Sequence, residues 1–300
     1  MKNKIPYKGI LLAGGAGKRL YPMTRVFSKQ LLPVYDKPMI YYPLATLMLF
    51  GISEVLIIST PEDAPNIEKL LGDGSNIGLK LSYKVQNHPN GIAEALVLGD
   101  DFIGNDNVCL ILGDNIFYMG DQLNDFFKII WKNEGAVICG YHVPDPERYG
   151  IVEFSDGEHV LSIEEKPKNP KSNFAVVGLY FYTPDVVKKA KALKPSSRKE
   201  LEITDLNKEY LQENRIKVLR MCRGTAWMDA GTPDSLMDAA QFVQMIEKRQ
   251  GLKISCIEEI ALNRGFIDIV QFAKLVDNYE DGSDYKRYLS KIVGERKQNV

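Results

Sequence analysis

No stretch of this 300-residue sequence approaches the roughly 18 consecutive apolar residues of a membrane-spanning helix. Behind Lys2 and Lys4 the apolar run Ile10 to Ala13 stops at glycines, too short for a secretory core. Charge of one sign is equally scarce: 38 Lys and Arg stand against 39 Asp and Glu, scattered rather than gathered into a basic stripe. Neither a membrane nor a nucleic-acid partner is therefore expected. The three histidines, His88, His142 and His159, share no ligand spacing with one another or with any cysteine, which argues against a zinc site. Four cysteines, Cys109, Cys139, Cys222 and Cys256, lie far apart in largely apolar surroundings, so reduced, buried thiols in a cytoplasmic protein are expected.

What is present suffices for a large core, since 45% of the residues are hydrophobic. In the first two thirds, short β-rich apolar runs alternate with helical patterns. Lys8 to Ala13, Val55 to Thr60, Leu79 to Val85, Val108 to Leu112 and Ala136 to Val143 predict strands; Met39 to Phe50, Ile92 to Leu98 and Leu123 to Trp131 predict helices. Such alternation implies an α/β fold with a mainly parallel, Rossmann-like sheet, helices on both faces and ligands at the carboxyl ends of the strands. From Tyr149 strands come in quicker succession: Gly150 to Phe154, a turn at Asp156-Gly157, Val160 to Ile163 and Val176 to Tyr182, a β insertion on the same sheet. Beyond Thr232, a plausible N-cap before Pro233, the pattern is helical: Ser235 to Gln250, Ile267 to Asn278 and Tyr285 to Val293. This divides the chain into a catalytic region, 1–232, and a helical tail, 233–300.

The first strand runs into Leu12-Ala13-Gly14-Gly15-Ala16-Gly17-Lys18-Arg19-Leu20. Glycines let the backbone turn sharply and bring N–H groups to a polyphosphate, while Arg19 offers a permanently charged fork; a mere connecting turn is the other reading. It is not a Walker A loop, because Leu12 and Arg19 stand where Gly and Ser or Thr are needed, and Leu20 replaces the third glycine of a dinucleotide fingerprint. Downstream stand Ser28-Lys29-Gln30-Leu31-Leu32-Pro33 and Asp36-Lys37-Pro38-Met39-Ile40. Asp114 follows the strand Val108 to Leu112 directly, where α/β folds place ligand groups, although a turn or cap role is also open to it.

Together these segments resemble the signature of sugar nucleotidyltransferases, G-G-x-G-x-R-L followed by [ST]-K-x-[LM]-[LV]-P. The run Leu70 to Leu79 and the segment Gln86 to Gly91 resemble its glucose-1-phosphate thymidylyltransferase branch. The resemblance extends from Lys8 to about Tyr288. It implies that Leu12, Gly14, Gly15 and Arg19 receive the nucleotide, with Arg19 and Lys29 stabilising the triphosphate, and that Gln86 bonds the thymine edge while Gly91 lets the base approach. It further implies one Mg²⁺ between Asp114 and Asp229, the latter in Ala226-Trp227-Met228-Asp229-Ala230-Gly231-Thr232, where Ala230 replaces a family threonine.

On the sugar side the resemblance assigns Gly150 a backbone contact and Glu165 the sugar hydroxyls. Lys166 becomes a catalytic cation for the sugar phosphate, Val176 part of the closing strand, and Arg198 a candidate second cation. Alone, Glu164-Glu165-Lys166 reads as a surface charge cluster. The nucleotide part is then about 8–145 and the sugar-phosphate part about 146–232. The implied substrates are dTTP and α-D-glucose 1-phosphate, joined by in-line displacement in a homotetramer that feeds dTDP-rhamnose and related sugars. A glycosyltransferase of similar architecture commonly shows Asp-x-Asp at the metal strand, where this chain has Asp114-Asn115-Ile116. A non-catalytic relative would lack groups that are present here. Relatives also carry a second, feedback nucleotide site, at Y-G-H-D and A-[FY]-R segments. Here these read Tyr118-Met119-Gly120-Asp121 and Ala261-Leu262-Asn263, implying that the site is altered.

Overall fold

The computed structural model describes residues 7–15, 17–156 and 159–298, so Lys2, Lys4, Ala16 and Gly157 lie outside the described residues. Thirteen strands can be followed there: β1 Tyr7–Ala13, β2 Pro33–Val34, β3 Lys37–Pro38, β4 Glu54–Ser59, β5 Lys80–Val85, β6 Asn107–Leu112, β7 Asn115–Tyr118, β8 Ala136–His142, β9 Gly150–Phe154, β10 Val160–Glu165, β11 Phe174–Tyr182, β12 Ile216–Arg220 and β13 Ala226–Asp229. The α-helices among the described residues are α1 Tyr41–Leu49, α2 Ala64–Leu71, α3 Glu94–Leu98, α4 Asp100–Ile103, α5 Leu123–Ile130, α6 Val186–Ala192, α7 Ile203–Gln212, α8 Pro233–Gln250, α9 Ile257–Arg264, α10 Ile269–Asp277 and α11 Asp284–Gln298.

β1 is buried along nearly its whole length because it lies between two parallel neighbours, with Ile10 opposite Leu56 of β4 and Leu110 of β6. A strand covered on both faces needs a continuous apolar run rather than alternation, which is what Ile10 to Ala13 provides. β5 extends this parallel group beyond β4. On the other side β11 runs antiparallel to β6 and carries β8 and β9; β12 joins β8 in parallel and β10 joins β9 antiparallel. The strands after Tyr149 therefore continue the first sheet, as the quickened strand pattern implied.

Two irregularities shape the sheet's carboxyl edge. β11 shifts register against β8 between Val176 and Tyr180, beside the future site, as bulged strands often do. At Gly178 a Cβ would stand 2.7 Å from Asn115 Oδ1 and from Leu112, so only glycine permits that approach. The ribbon of β7 and β13 sets Asp229 opposite Asn115, directly beyond Asp114.

The tail opens at Thr232, whose Oγ1 accepts from the Ser235 N–H while Ser235 Oγ accepts from the Thr232 N–H, with Pro233 in the first turn. α8 buries Ala239 and Val243 with Val34, Met39, Tyr42, Ile116 and Ala230. α9, with Ile257 and Ala261, and α10, with Phe272, join the main core under α1. Of the tail's apolar residues, Met237, Met245 and Val270 are exposed. One cysteine also departs: Cys222 is exposed, because it follows β12 in a turn, while Cys109, Cys139 and Cys256 are buried. No helix among the described residues is long and apolar enough to cross a membrane.

Candidate active site

The carboxyl ends of the central strands open into a cleft of about 650 Å³. Its walls include Leu12, Gly14, Gly15, Arg19, Gln86, Gly91, Asp114, Gly150, Glu165, Lys166, Val176, Arg198 and Asp229, residues contributed by segments scattered over two hundred positions. Lys29 is set apart from that wall. It is buried below it and lines an adjoining recess of about 200 Å³ with Gly14, Gly15, Lys18, Arg19 and Asp114.

At the phosphate end, Gly113 N–H donates to Leu12 O at 2.9 Å, so the end of β6 sits beside the glycine turn that follows β1. This brings Asp114 over Lys29, whose Nζ lies 2.5 Å from its Oδ2. Arg19 reaches toward the second carboxylate, 3.9 Å from Asp229 Oδ2, and remains largely solvent-facing. Lys18, exposed on the rim of the same recess, has no ion partner among the described residues.

The two carboxylates differ in electrostatic state. Burial pushes Asp114 upward, but the Lys29 charge and hydrogen bond, with a bond from Asn115, overcome it and hold its carboxyl below the usual range. Burial and the Asp114 charge push Asp229 above its ordinary value, against the opposing pull of Lys29, Arg19 and Arg148. Two hard oxygen donors crowded together, one of them resisting ionisation, suit a divalent cation that keeps several other ligands. No third His, Cys, Asp or Glu joins them among the described residues. The donor set therefore fits Mg²⁺ with phosphate and water completing its shell.

Asn115 holds this corner together and was not singled out as a site residue by the motifs. Its Nδ2 donates to Asp114 Oδ1 at 2.8 Å, while its Oδ1 accepts from Trp227 Nε1 at 2.6 Å and from the Gly178 N–H at 3.0 Å. One buried amide thus links the β6 end, the β13 ribbon and the bulged strand β11. The Ala230 N–H donates to Asp114 O at 3.2 Å, and its methyl is fully buried, so the loss of a threonine hydroxyl leaves the backbone contact intact.

The other end of the cleft is built around Glu165, the last residue of β10. Its Oε2 accepts from Thr204 Oγ1 at 2.6 Å and its Oε1 from Arg198 Nη2 at 3.2 Å. Arg198 also donates to both oxygens of Glu202, at 3.1 and 2.7 Å, so its charge is largely engaged by carboxylates. Lys166 adopts a left-handed backbone, φ 44°, which is uncommon for a residue with a Cβ and frequent at functional sites; its Nζ lies 3.8 Å from Glu165 Oε1. Gly150 faces Glu165 and Thr204, leaving room for a ligand. Arg148 and Tyr149 line the cleft as well, with Tyr149 packed edge-on against Trp227. Both belong to the run Asp145-Pro146-Glu147-Arg148-Tyr149-Gly150, which resembles the family's sugar side and of which Gly150 alone was given a role.

The segments Tyr118 to Asp121 and Ala261 to Asn263 do not line this cleft. Met119 is buried in the main core, and Asn263 accepts from Arg296 at 2.6 Å.

Residues 8–245 match the Nucleotidyl transferase family model. A Neisseria gonorrhoeae glucose-1-phosphate thymidylyltransferase is 52% identical over 291 residues, 96% of this chain and all of that protein. A Bacillus anthracis protein assigned as a glucose-1-phosphate thymidylyltransferase, crystallised with sucrose, superposes with a TM-score of 0.74 at 43% identity, covering 79% of this chain and 94% of its own. A UDP-glucose pyrophosphorylase holding UDP-glucose superposes with a TM-score of 0.71 at 25% identity, covering 81% of this chain and all of its own. The chain belongs to the nucleotidyl transferase family and, within it, to the glucose-1-phosphate thymidylyltransferases.

Proposed function

We propose that the chain transfers thymidylate from dTTP to α-D-glucose 1-phosphate, giving dTDP-glucose and pyrophosphate. The observation that carries this is one cleft that has Arg19, Asp114 and Asp229 at one end, next to the recess lined by Lys29, and Glu165, Lys166 and Arg198 at the other.

In this reading Gly14, Gly15 and Arg19 cradle the triphosphate, and Lys29 and Arg19, held in place by Asp114 and Asp229, offset the charge that grows on pyrophosphate as it leaves. Gln86 and Gly91 border the base. Glu165 accepts from sugar hydroxyls, aimed by Thr204 and Arg198, and Gly150 and Val176 close against the ring. Lys166 meets the sugar phosphate and reduces its repulsion from the nucleotide. A phosphate oxygen of glucose 1-phosphate forms the new bond to the α-phosphorus, and the bond from that phosphorus to the bridging oxygen of pyrophosphate breaks. The nucleophile is already anionic near neutral pH, so no side chain need remove a proton. Asp114 and Asp229 would hold one Mg²⁺, which supplies charge neutralisation at the α-phosphoryl group.

We further propose a cytoplasmic homotetramer feeding dTDP-rhamnose and related sugars; the exposed apolar tail residues Met237, Met245 and Val270 support the assembly. A pyrophosphate-release assay with dTTP and glucose 1-phosphate tests the reaction. Release only with another nucleotide or another sugar phosphate would overturn it.

A further inference from the structure

We propose that Glu94 is a positioning residue that sets the choice of base, by holding the Gln86 amide with its oxygen toward the cleft. The inference rests on the thymidylyl-transfer reading and deepens it.

Gln86 follows the last residue of β5, and its backbone N–H donates to Ser59 O at 2.8 Å. Its side chain is buried, so its orientation is decided by neighbours rather than by water. A glutamine amide has a donor end and an acceptor end of nearly equal size, and only hydrogen-bond partners tell them apart. Here Nε2 donates to Glu94 Oε2 at 2.6 Å and to Gly91 O at 3.3 Å, which commits both of its hydrogens. An ionised carboxylate accepts only, so Glu94 cannot face the oxygen end without leaving two acceptors opposed. The other oxygen of Glu94 accepts from Asn90 Nδ2 at 2.7 Å, which fixes the carboxylate in turn.

The loop that carries these partners is itself anchored. Leu201 N–H donates to Asn90 O, Ala93 N–H donates to Leu201 O, and Gly91, at φ 103°, runs so close to Leu201 that a Cβ would stand 2.4 Å from its oxygen. Rotation of the amide is thus opposed by a carboxylate that the backbone holds still.

The consequence is an acceptor presented to the ligand. Gln86 Oε1 lies 3.1 Å from where a Cβ on Gly14 would stand, Gly14 lines the cleft, and no donor among the described residues meets that oxygen. A base with an N–H at the facing position, as the N3–H of thymine or uracil, completes the pair. Cytosine presents an unprotonated N3 there, setting acceptor against acceptor. Discrimination of this kind is strong because the mismatched pair leaves buried polar atoms unpaired. Glu94 need not touch the nucleotide to produce it.

The test is steady-state kinetics with dTTP, dUTP and dCTP, at saturating glucose 1-phosphate, on the wild-type protein and on Glu94→Gln. An amide at position 94 can present either end to Gln86, so the Gln86 side chain is released to turn. The preference for dTTP over dCTP in kcat/KM should fall at least about tenfold, mainly through KM for dTTP, while KM for glucose 1-phosphate stays within about twofold. A preference unchanged in Glu94→Gln overturns the inference. Wild-type protein that releases no pyrophosphate from dTTP overturns the parent reading and this one with it, and that result is seen before any variant is made.

Discussion

Lys29 Nζ lies 2.5 Å from Asp114 Oδ2, and Lys29 is buried beneath the carboxylate it holds. A buried lysine is tolerated only when paired, so this contact also explains why a motif lysine that would otherwise be a solvated surface charge lies inside the fold.

Neutralising Asp114 or Asp229 as Asp→Asn should lower kcat on the order of a hundredfold or more, the scale of losing one strong electrostatic stabiliser. Excess chelator should stop turnover, and Mg²⁺ or Mn²⁺ should restore it. Initial rates of pyrophosphate release check both. Full activity in chelator would remove the metal from the mechanism, and a loss below about threefold in either variant would show the wrong ligand had been chosen.

Lys166 can be separated from the nucleotide end by its effect on the two Michaelis constants. Lys166→Met should raise KM for glucose 1-phosphate roughly tenfold or more while shifting KM for dTTP little, since its Nζ sits beside Glu165 at the sugar end. Equal losses on both substrates would contradict that placement.

A third prediction concerns the tail. Lys37 donates to Glu247 at 3.1 Å, Glu247 accepts from the Ile254 N–H at 2.9 Å, and Lys253 and Lys37 both pair with Asp36. Burial pushes the Asp36 carboxyl up, but the two lysines overcome it and hold it below its ordinary 3.8. A depressed carboxylate contributes stability above that ordinary value and loses it as the pH falls through the lowered one. Asp36→Asn should therefore lower Tm by a constant amount from neutral pH down to about pH 5, with the difference closing below 3.8. Glu247→Ala should cost about 2 kcal/mol, less than the roughly 3–5 kcal/mol of breaking an isolated buried pair, because Lys37 keeps Asp36. Thermal melts across pH read both. A gap between wild type and Asp36→Asn that widens in acid would refute the assignment.

Much of the fold was legible because its central strands are buried on both faces and α8 opens on a clear cap. Ile10 to Ala13 announces β1 by continuity, and Thr232-Pro233 announces α8 by chemistry. Several of the elements that escaped depend on distant partners. β7 and β13 are four residues each and exist because they pair with one another across more than a hundred positions. α9 gives a weak helical signal because it is packed between α1, α10 and α11, leaving no clean polar face. In the site, motif residues at strand ends could be picked out one by one. Asn115 could not, since its partners Trp227 and Gly178 are 112 and 63 residues away. Glu94 was hidden for the same reason: its importance lies in the end of Gln86 it selects, which no spacing reveals.

The last prediction concerns end-product control. Relatives are expected to hold a second nucleotide at the segments that here read Tyr118-Met119-Gly120-Asp121 and Ala261-Leu262-Asn263. Met119 is packed in the core rather than presented as a polar contact, and Asn263 replaces a cation with an amide already engaged by Arg296. Arg264 stands next in sequence, but its guanidinium lies over the Phe127 ring at 5.4 Å, and burial lowers its affinity for a proton, so it is a poor substitute for a solvent-facing anion ligand. Arg223 is exposed and could reach a phosphate alone, with the modest gain of a solvated pair. An anionic sugar nucleotide should therefore bind there weakly while the catalytic cleft, whose residues match the family, remains competent. Titrating dTDP-rhamnose against initial rate should give inhibition that rising dTTP relieves, the mark of competition at the cleft. Inhibition that no concentration of dTTP relieves would show that a second site still works despite Met119 and Asn263.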